Sequence, residues 1–361
     1  MSGKRAPIEP GLCRHFGNCG GCTLQDMPDA AYSDAKRGAV VVALARHGLE
    51  AAEVGPLVEI GPGTRRRAVF KAAKTGGAAV LGFHARATHA IVDMRECRVL
   101  TPALFALVGS MRALMAPLLS EGEQAELAVT ETAAGPDIAI HMARKPTPAA
   151  RAHLAQWAER VGAARITLND GIAVALATPC VTFGRARVAI PPGSFLQATL
   201  AGEKALQDAV CAGVGRAKSV ADLFAGCGTF ALVLAEKARV HAVETDRAAL
   251  DALAAGARGA ERLKPVTTER RDLFKVPLGP AELKRFDAVV LDPPRAGAQA
   301  QVQELVKSDL GRVVYASCNP ESFARDARLL VDGGFRMGTV MPVDQFAWSS
   351  HIELVAAFSR R

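Results

Sequence analysis

VADLFAGCGTF, residues 220–230, is the stretch whose reading decides the fold. Four residues of strand character, Val220 to Leu223, run into two glycines and then into a helical pattern over about 229–237. Gly226 and Gly228 permit a tight turn and a close approach of backbone to a ligand. Glu244 stands 16 residues beyond Gly228, at the end of the next apolar run, where a carboxylate suits ribose hydroxyls. The glycines also fit G-x-G-x-x-A ending at Ala231, so S-adenosylmethionine and a nicotinamide dinucleotide both remain open at this point.

On either side of this loop, short apolar runs alternate with helical patterns, as a parallel sheet covered on both faces requires. Strands are expected at Ser219–Phe224, Val240–Glu244, Val266–Thr268, Ala288–Leu291 and Val313–Ser317, with helices over about 229–237, 247–257 and 320–331. Two more strands, near Arg336–Pro342 and Ile352–Phe358, complete a seven-stranded sheet with an antiparallel end. The fold class is therefore α/β, a Rossmann-like domain over 196–361. Residues 36–195 read as an α+β domain, with a helix over Ala35–His47 and strands at Val80–His84, His89–Val92, Asp137–Met142 and Ala173–Ala177. Lys145–Arg151 reads as a loop, and residues 1–35 form a cysteine-dense segment of little periodicity.

Three segments beyond the glycine loop carry chemistry. Asp272 follows the third strand and is positioned to reach an adenine edge. In LDPPRAG (291–297) two prolines stop the fourth strand and fix Asp292 at its carboxyl end, where open α/β sheets bind ligands. In SCNPESFARD (317–326), Asn319 is an N-cap and Pro320 the first helical residue. Cys318 thus lies against a helix N-terminus, whose partial positive charge favours thiolate. A nucleophile is the reading this favours over a packing residue. Near the C-terminus, His351 and Glu353 share a face of an extended chain, with Glu353 an odd choice at the start of an apolar strand. A water-exposed edge strand accounts for that pair equally well.

Cys13, Cys19, Cys22 and Cys97 form a four-thiolate set among the eight cysteines. Such a set holds zinc or an iron–sulfur cluster, and three local ligands with one remote favour iron–sulfur. Cys180, Cys211 and Cys227 read as packing residues. The net charge is +8, and residues 1–100 hold 14 Lys and Arg against 9 Asp and Glu. Their densest run, Arg65, Arg66 and Arg67 with Lys71 and Lys74, is either a solvated strand face or a phosphate-contacting surface. The composition, 50% hydrophobic, excludes a disordered chain. No apolar stretch is long enough for a transmembrane helix, and the first ten residues lack a signal core, so a cytoplasmic protein, expected monomeric, is indicated.

Taken together, C-x5-C-G-G-C-T-L-Q, DLFAGCGTF, LDPPRAG, SCNPESFARD and SSHIELV resemble the 5-methyluridine RNA methyltransferase family, most of all its iron–sulfur branch acting on 23S ribosomal RNA. The resemblance runs from residue 13 to about 355. It implies S-adenosylmethionine as cofactor, RNA as partner, and a [4Fe-4S] cluster on Cys13, Cys19, Cys22 and Cys97. It implies that Gln197, Phe224, Thr229, Glu244 and Asp272 contact the cofactor and that Asp292 lies between cofactor and uracil. Cys318 matches the family's nucleophile and Glu353 its general base. Two departures are that the cysteines begin at residue 13, where many family members carry an N-terminal RNA-binding barrel ahead of them, and that threonines stand at 199 and 229 where asparagines are common. The alternatives are a transfer RNA uridine methyltransferase, an amino-methyltransferase of RNA bases that shares the Asp-Pro-Pro turn, a nicotinamide oxidoreductase, and a non-enzymatic RNA-binding protein with a metal knuckle.

Overall fold

In the computed structural model, which describes residues 11–144, 147–169 and 171–360, the chain forms two units. The smaller takes the chain up to Asp29, Gly61–Pro179 and Phe346–Ser350. The larger takes Ala30–Ile60, Cys180–Gln345 and the chain from His351 onward. This partition differs from the three stretches 1–35, 36–195 and 196–361. The first helix, Asp29–Arg46, starts six residues before the expected Ala35 and buries Val40, Ala43 and Leu44 in the core of the larger unit. The first ten residues, and part of the 145–151 loop, lie outside the described residues; Pro148 already begins a helix.

In the larger unit, strands Ser219–Leu223, Arg239–Glu244, Val266–Arg270, Ala288–Leu291 and Arg312–Ser317 pair in parallel, with Ser219–Leu223 between Arg239–Glu244 and Ala288–Leu291. Glu353–Ser359 adds antiparallel to Arg312–Ser317, and Met341–Asp344 pairs with it on its other side. All seven expected strands are present. The sheet has nine because the run near 336–342 splits into Arg336–Met337 and Met341–Asp344, and because Val58–Glu59 lies parallel to Met341–Asp344 at the edge. The chain reaches that edge because its first helix packs on this sheet.

Side-chain alternation sorts the central strands between two cores. Ala221, Leu223, Val289, Leu291, Val313 and Tyr315 enter one, beneath helices Gln299–Lys307 and Pro320–Asp332. Val220, Val240, Ala288, Val290 and Val314 enter the other, beneath Leu200–Val214 and Arg247–Gly259. The helix expected over 229–237 shrinks to Ala231–Leu234, whose start has no side-chain cap.

The smaller unit is a seven-stranded sheet in the order Ile91–Asp93, Ala78–His84, Arg67–Thr75, Gln124–Thr130, Asp137–Met142, Arg165–Leu168, Gly171–Ala175. All its pairings are antiparallel except Asp137–Met142 with Arg165–Leu168. Helices Pro102–Leu118 and Pro148–Val161 supply Met111, Leu114, Leu154 and Trp157 to its core. The basic run does not form an exposed cationic row. Arg66 is buried, Arg65 donates from Nε to the carbonyl of Arg67, and Lys71 pairs with Glu126. Among the described residues no helix is long and apolar enough to cross a membrane.

Candidate active site

The carboxyl ends of the parallel strands in the larger unit open onto a cavity of about 500 Å3. Gln197, Phe224, Gly226, Thr229, Glu244 and Asp272 line one part of it; Asp292, Cys318 and Glu353 line another. Of the two loop glycines singled out in the sequence, Gly228 is not on this wall. Its φ is +99°, and a Cβ there would come within 2.9 Å of Leu232 and Leu253, so it is required for helix packing. Gly226 (φ +52°) has open space where a Cβ would stand, leaving its backbone bare to the cavity.

The loop is held by its own acidic residue. Glu244 accepts from the amides of Gly226 (3.1 Å), Thr245 (2.6 Å) and Asp246 (3.0 Å), so its carboxylate is fixed before any ligand arrives. Phe224 ends the first strand at φ +64°, unusual for a side chain of its size, and sets its ring 5.5 Å from that of Phe274. Asp272 accepts from the amide of Phe274.

Around Cys318 the charges contradict the thiolate expectation. Asn319 caps the helix Pro320–Asp332 as read, its side chain accepting from Glu321 N. Yet burial, then the charges of Glu353 and Asp292, push the Cys318 thiol up to about 11, against the pull of Arg295. Burial comes first in that rise, with the two carboxylates of the same cavity adding to it. Glu353 is itself pushed up to about 7 by burial, although Gln345 and Arg295 favour its charged form. Asp292 is raised well above the ordinary carboxylate range by burial and by the charges of Glu353 and Asp222. Glu353 is buried, whereas His351 is exposed, lies outside the strand and does not line the cavity, so the two do not act as a pair.

Three residues were missed in the sequence. Arg295, from LDPPRAG, is a cation that lines the cavity with Cys318 and Glu353, and its carbonyl accepts from Asn319 Nδ2 at 2.9 Å, tying the Asp292 turn to the Cys318 turn. Gln345 bonds both Gln197 and Glu353. Asp222, fully buried beneath the loop, is pushed up to about 7 by burial. Asp222 and Arg295 stood inside quoted motifs; Gln345 had no local signal. Cys227, read as packing, is buried but lines the cavity, its Sγ 3.7 Å from Ser194 Oγ.

In the smaller unit Cys13, Cys19, Cys22 and Cys97 line one cavity of about 30 Å3, together with Phe83, Met94 and Arg65. All four are free thiols. Burial pushes each up, Cys22 to about 12, with neighbouring cysteines adding to the rise in Cys13, Cys22 and Cys97. Among the described residues no three His, Cys, Asp or Glu side chains are set to hold a metal ion. The donor chemistry suits a thiolate-bound group, while the thiols are not drawn in around a single ion.

Residues 187–361 match the family model described as tRNA (Uracil-5-)-methyltransferase. An uncharacterized RNA methyltransferase of Brucella suis is 46% identical over 348 residues, covering 96% of this chain and 84% of its own length. The 23S rRNA (uracil(1939)-C(5))-methyltransferase RlmD of Halomonas elongata is 33% identical, covering 94% of this chain and 74% of its own. Among solved structures, the Pyrococcus abyssi tRNA (uracil-54, C5)-methyltransferase in complex with S-adenosyl-L-homocysteine superposes with a TM-score of 0.74 at 23% identity, over 94% of this chain and 84% of that one.

Proposed function

Because this chain belongs to the RNA (uracil-5-)-methyltransferase family, we propose that it transfers a methyl group from S-adenosylmethionine to C5 of a uridine in 23S ribosomal RNA. The observation that carries the reading is the meeting of Cys318, Asp292 and Glu353 in the cavity that also receives the glycine loop and Glu244. An amino-methyltransferase or a nicotinamide oxidoreductase has no use for Cys318.

C5 of uracil is a weak nucleophile. In the proposed mechanism the Cys318 thiol gives up its proton to solvent and its sulfur adds to C6, so that the π pair of the C5–C6 bond moves toward O4 and C5 becomes enolate-like. S-adenosylmethionine supplies the electrophilic methyl group. C5 bonds to that methyl as the methyl–sulfonium bond breaks and S-adenosylhomocysteine leaves; Glu353 then takes the C5 proton, and the C6–S bond breaks to restore the C5–C6 double bond and release Cys318 as thiolate. Glu244 is the group for the ribose hydroxyls, and Gln197, Phe224, Gly226, Thr229 and Asp272 complete the cofactor wall. Asp292 lies with Cys318 and Glu353 and is assigned to the face between cofactor and uracil. The target base leaves its stack to reach this depth.

We also assign a [4Fe-4S] cluster to Cys13, Cys19, Cys22 and Cys97, which would link the N-terminal segment to the turn around Cys97. The shared cavity and the absence of a disulfide among these four cysteines support it.

The test is incubation of purified protein and S-adenosylmethionine with unmodified 23S ribosomal RNA and unmodified transfer RNA, followed by nucleoside analysis. The expected product is 5-methyluridine in the ribosomal RNA, abolished in Cys318→Ala although that variant still binds S-adenosylmethionine. Product in transfer RNA alone would move the substrate. Turnover by Cys318→Ala would overturn the mechanism.

A further inference from the structure

Gln345 lies in the Met341–Ser350 stretch, one residue beyond a strand, and its side chain is almost fully buried. Its amide is committed on both sides. Nε2 donates to Gln197 Oε1 at 2.5 Å and to Glu353 Oε1 at 3.3 Å, and Oε1 accepts from the backbone amide of Thr199 at 3.3 Å. Gln197 and Glu353 are 156 residues apart in sequence and both line the cavity. Gln345 bonds to each.

The surroundings are shaped to keep it there. Gly202, in the first turn of Leu200–Val214, has no Cβ, and one built there would stand 2.7 Å from Gln345 Cβ and 3.0 Å from its Oε1. That helix therefore approaches Gln345 only because residue 202 is glycine. Behind it, Asp344 is fixed by a buried ion pair to Lys36 at 2.7 Å and by the Tyr32 hydroxyl. Backbone and side chain are both held, and a held donor orients its acceptors.

We infer that Gln345 is a positioning residue that sets the general-base carboxylate of Glu353 and the cofactor-side amide of Gln197 from a single point, so that the reacting carbon and the methyl donor are registered against the same group. The inference rests on the methyltransferase reading above. It assigns Gln345 no contact with substrate. Its Nε2 donates to both acceptors, so losing it perturbs both ends of the cavity together. A hydrogen bond to the carboxylate also favours its charged form, so losing it makes Glu353 a later-ionising base.

The test uses the full protein with Gln345→Met, close in volume and without donors, and Gln345→Asn, whose shorter amide is withdrawn from both partners. Two readouts are taken. One is the carbon-13 titration of the Glu353 carboxyl, assigned by its absence in Glu353→Gln. The other is the dissociation constant of S-adenosylmethionine by calorimetry. The expected result for both variants is a titration midpoint raised on the order of one pH unit and cofactor binding weakened several-fold. A purely structural role would weaken binding without moving the midpoint. A midpoint unchanged in both variants overturns the inference. If the midpoint moves but the wild-type protein forms no 5-methyluridine in any RNA, the functional reading fails and the hydrogen-bonding role of Gln345 stands.

Discussion

Replacing Glu353 by glutamine should stabilise the fold at the pH where it stops the reaction. Raising this carboxyl from its ordinary 4.5 to about 7 means that ionising it inside the protein costs about 3 kcal/mol more than in the unfolded chain. Between those two values the folded state retains a proton that the unfolded state has released. Stability therefore falls as pH rises through the window, and the whole penalty is present by pH 8. Glutamine carries no such penalty and keeps an oxygen for Gln345 to donate to. The gap in unfolding free energy between Glu353→Gln and wild type should widen by about 2 to 3 kcal/mol between pH 5 and pH 8. Urea unfolding at several pH values measures it. Tyr32 and Tyr315 both lie in the larger unit, with Glu353, while Trp157 and Trp348 both lie in the smaller. Tyrosine difference absorbance thus follows the unit that matters and tryptophan fluorescence serves as the internal control. A gap independent of pH, or one that appears only in the tryptophan signal, would refute the reasoning. The same variant should also accumulate a covalent RNA adduct that survives denaturing gels.

Lys36→Met strands Asp344 as an uncompensated charge in a site where both partners are 2–3% exposed, and should cost about 3–5 kcal/mol in urea unfolding. Adding Asp344→Asn should recover most of that loss. Anaerobically purified protein should be brown and contain about four iron and four sulfide per chain, with the colour lost on replacing Cys22 or Cys97 by serine. One tightly bound zinc in a colourless preparation would instead mark a mononuclear site.

The larger unit was legible because its strands carry their own punctuation. Ala288–Leu291 ends at Pro293-Pro294, and Arg312–Ser317 ends at an Asn-Pro cap, so both were placed within a residue. Helix Pro102–Leu118 gave no helical stripe, since apolar residues surround it and a proline sits inside its last turn. The pairing of Val58–Glu59 with Met341–Asp344 spans 285 residues and two positions, too little local sequence to signal a strand. Glu353 drew notice as a carboxylate opening an apolar strand. The state of Cys318 does not follow from its helix, because burial, and then charges from residues 353 and 292, raise its thiol. Gln345 shows the same limit, since its chemistry lies in partners at 197 and 353.

The strand Glu353–Ser359 pairs with Arg312–Ser317, Arg336–Met337 and Met341–Asp344, all of which precede it in the chain. The smaller unit likewise includes Phe346–Ser350, where the Trp348 carbonyl accepts from the amides of Thr23 and Leu24. Synthesis must therefore pass residue 350 before the smaller unit has its pieces and residue 359 before the larger sheet has its strands, and Glu353–Ser359 emerges after every partner it joins. Until Glu353–Ser359 is made, the sheet has an open slot between Arg312–Ser317 and Met341–Asp344. A nascent chain in that state exposes unpaired edges on Arg312–Ser317 and Met341–Asp344, the kind of surface that chaperones shield. The strand Glu353–Ser359 both closes the sheet between Arg312–Ser317 and Met341–Asp344 and brings the Glu353 carboxyl to the cavity, so sheet and cavity wall are completed by the same event.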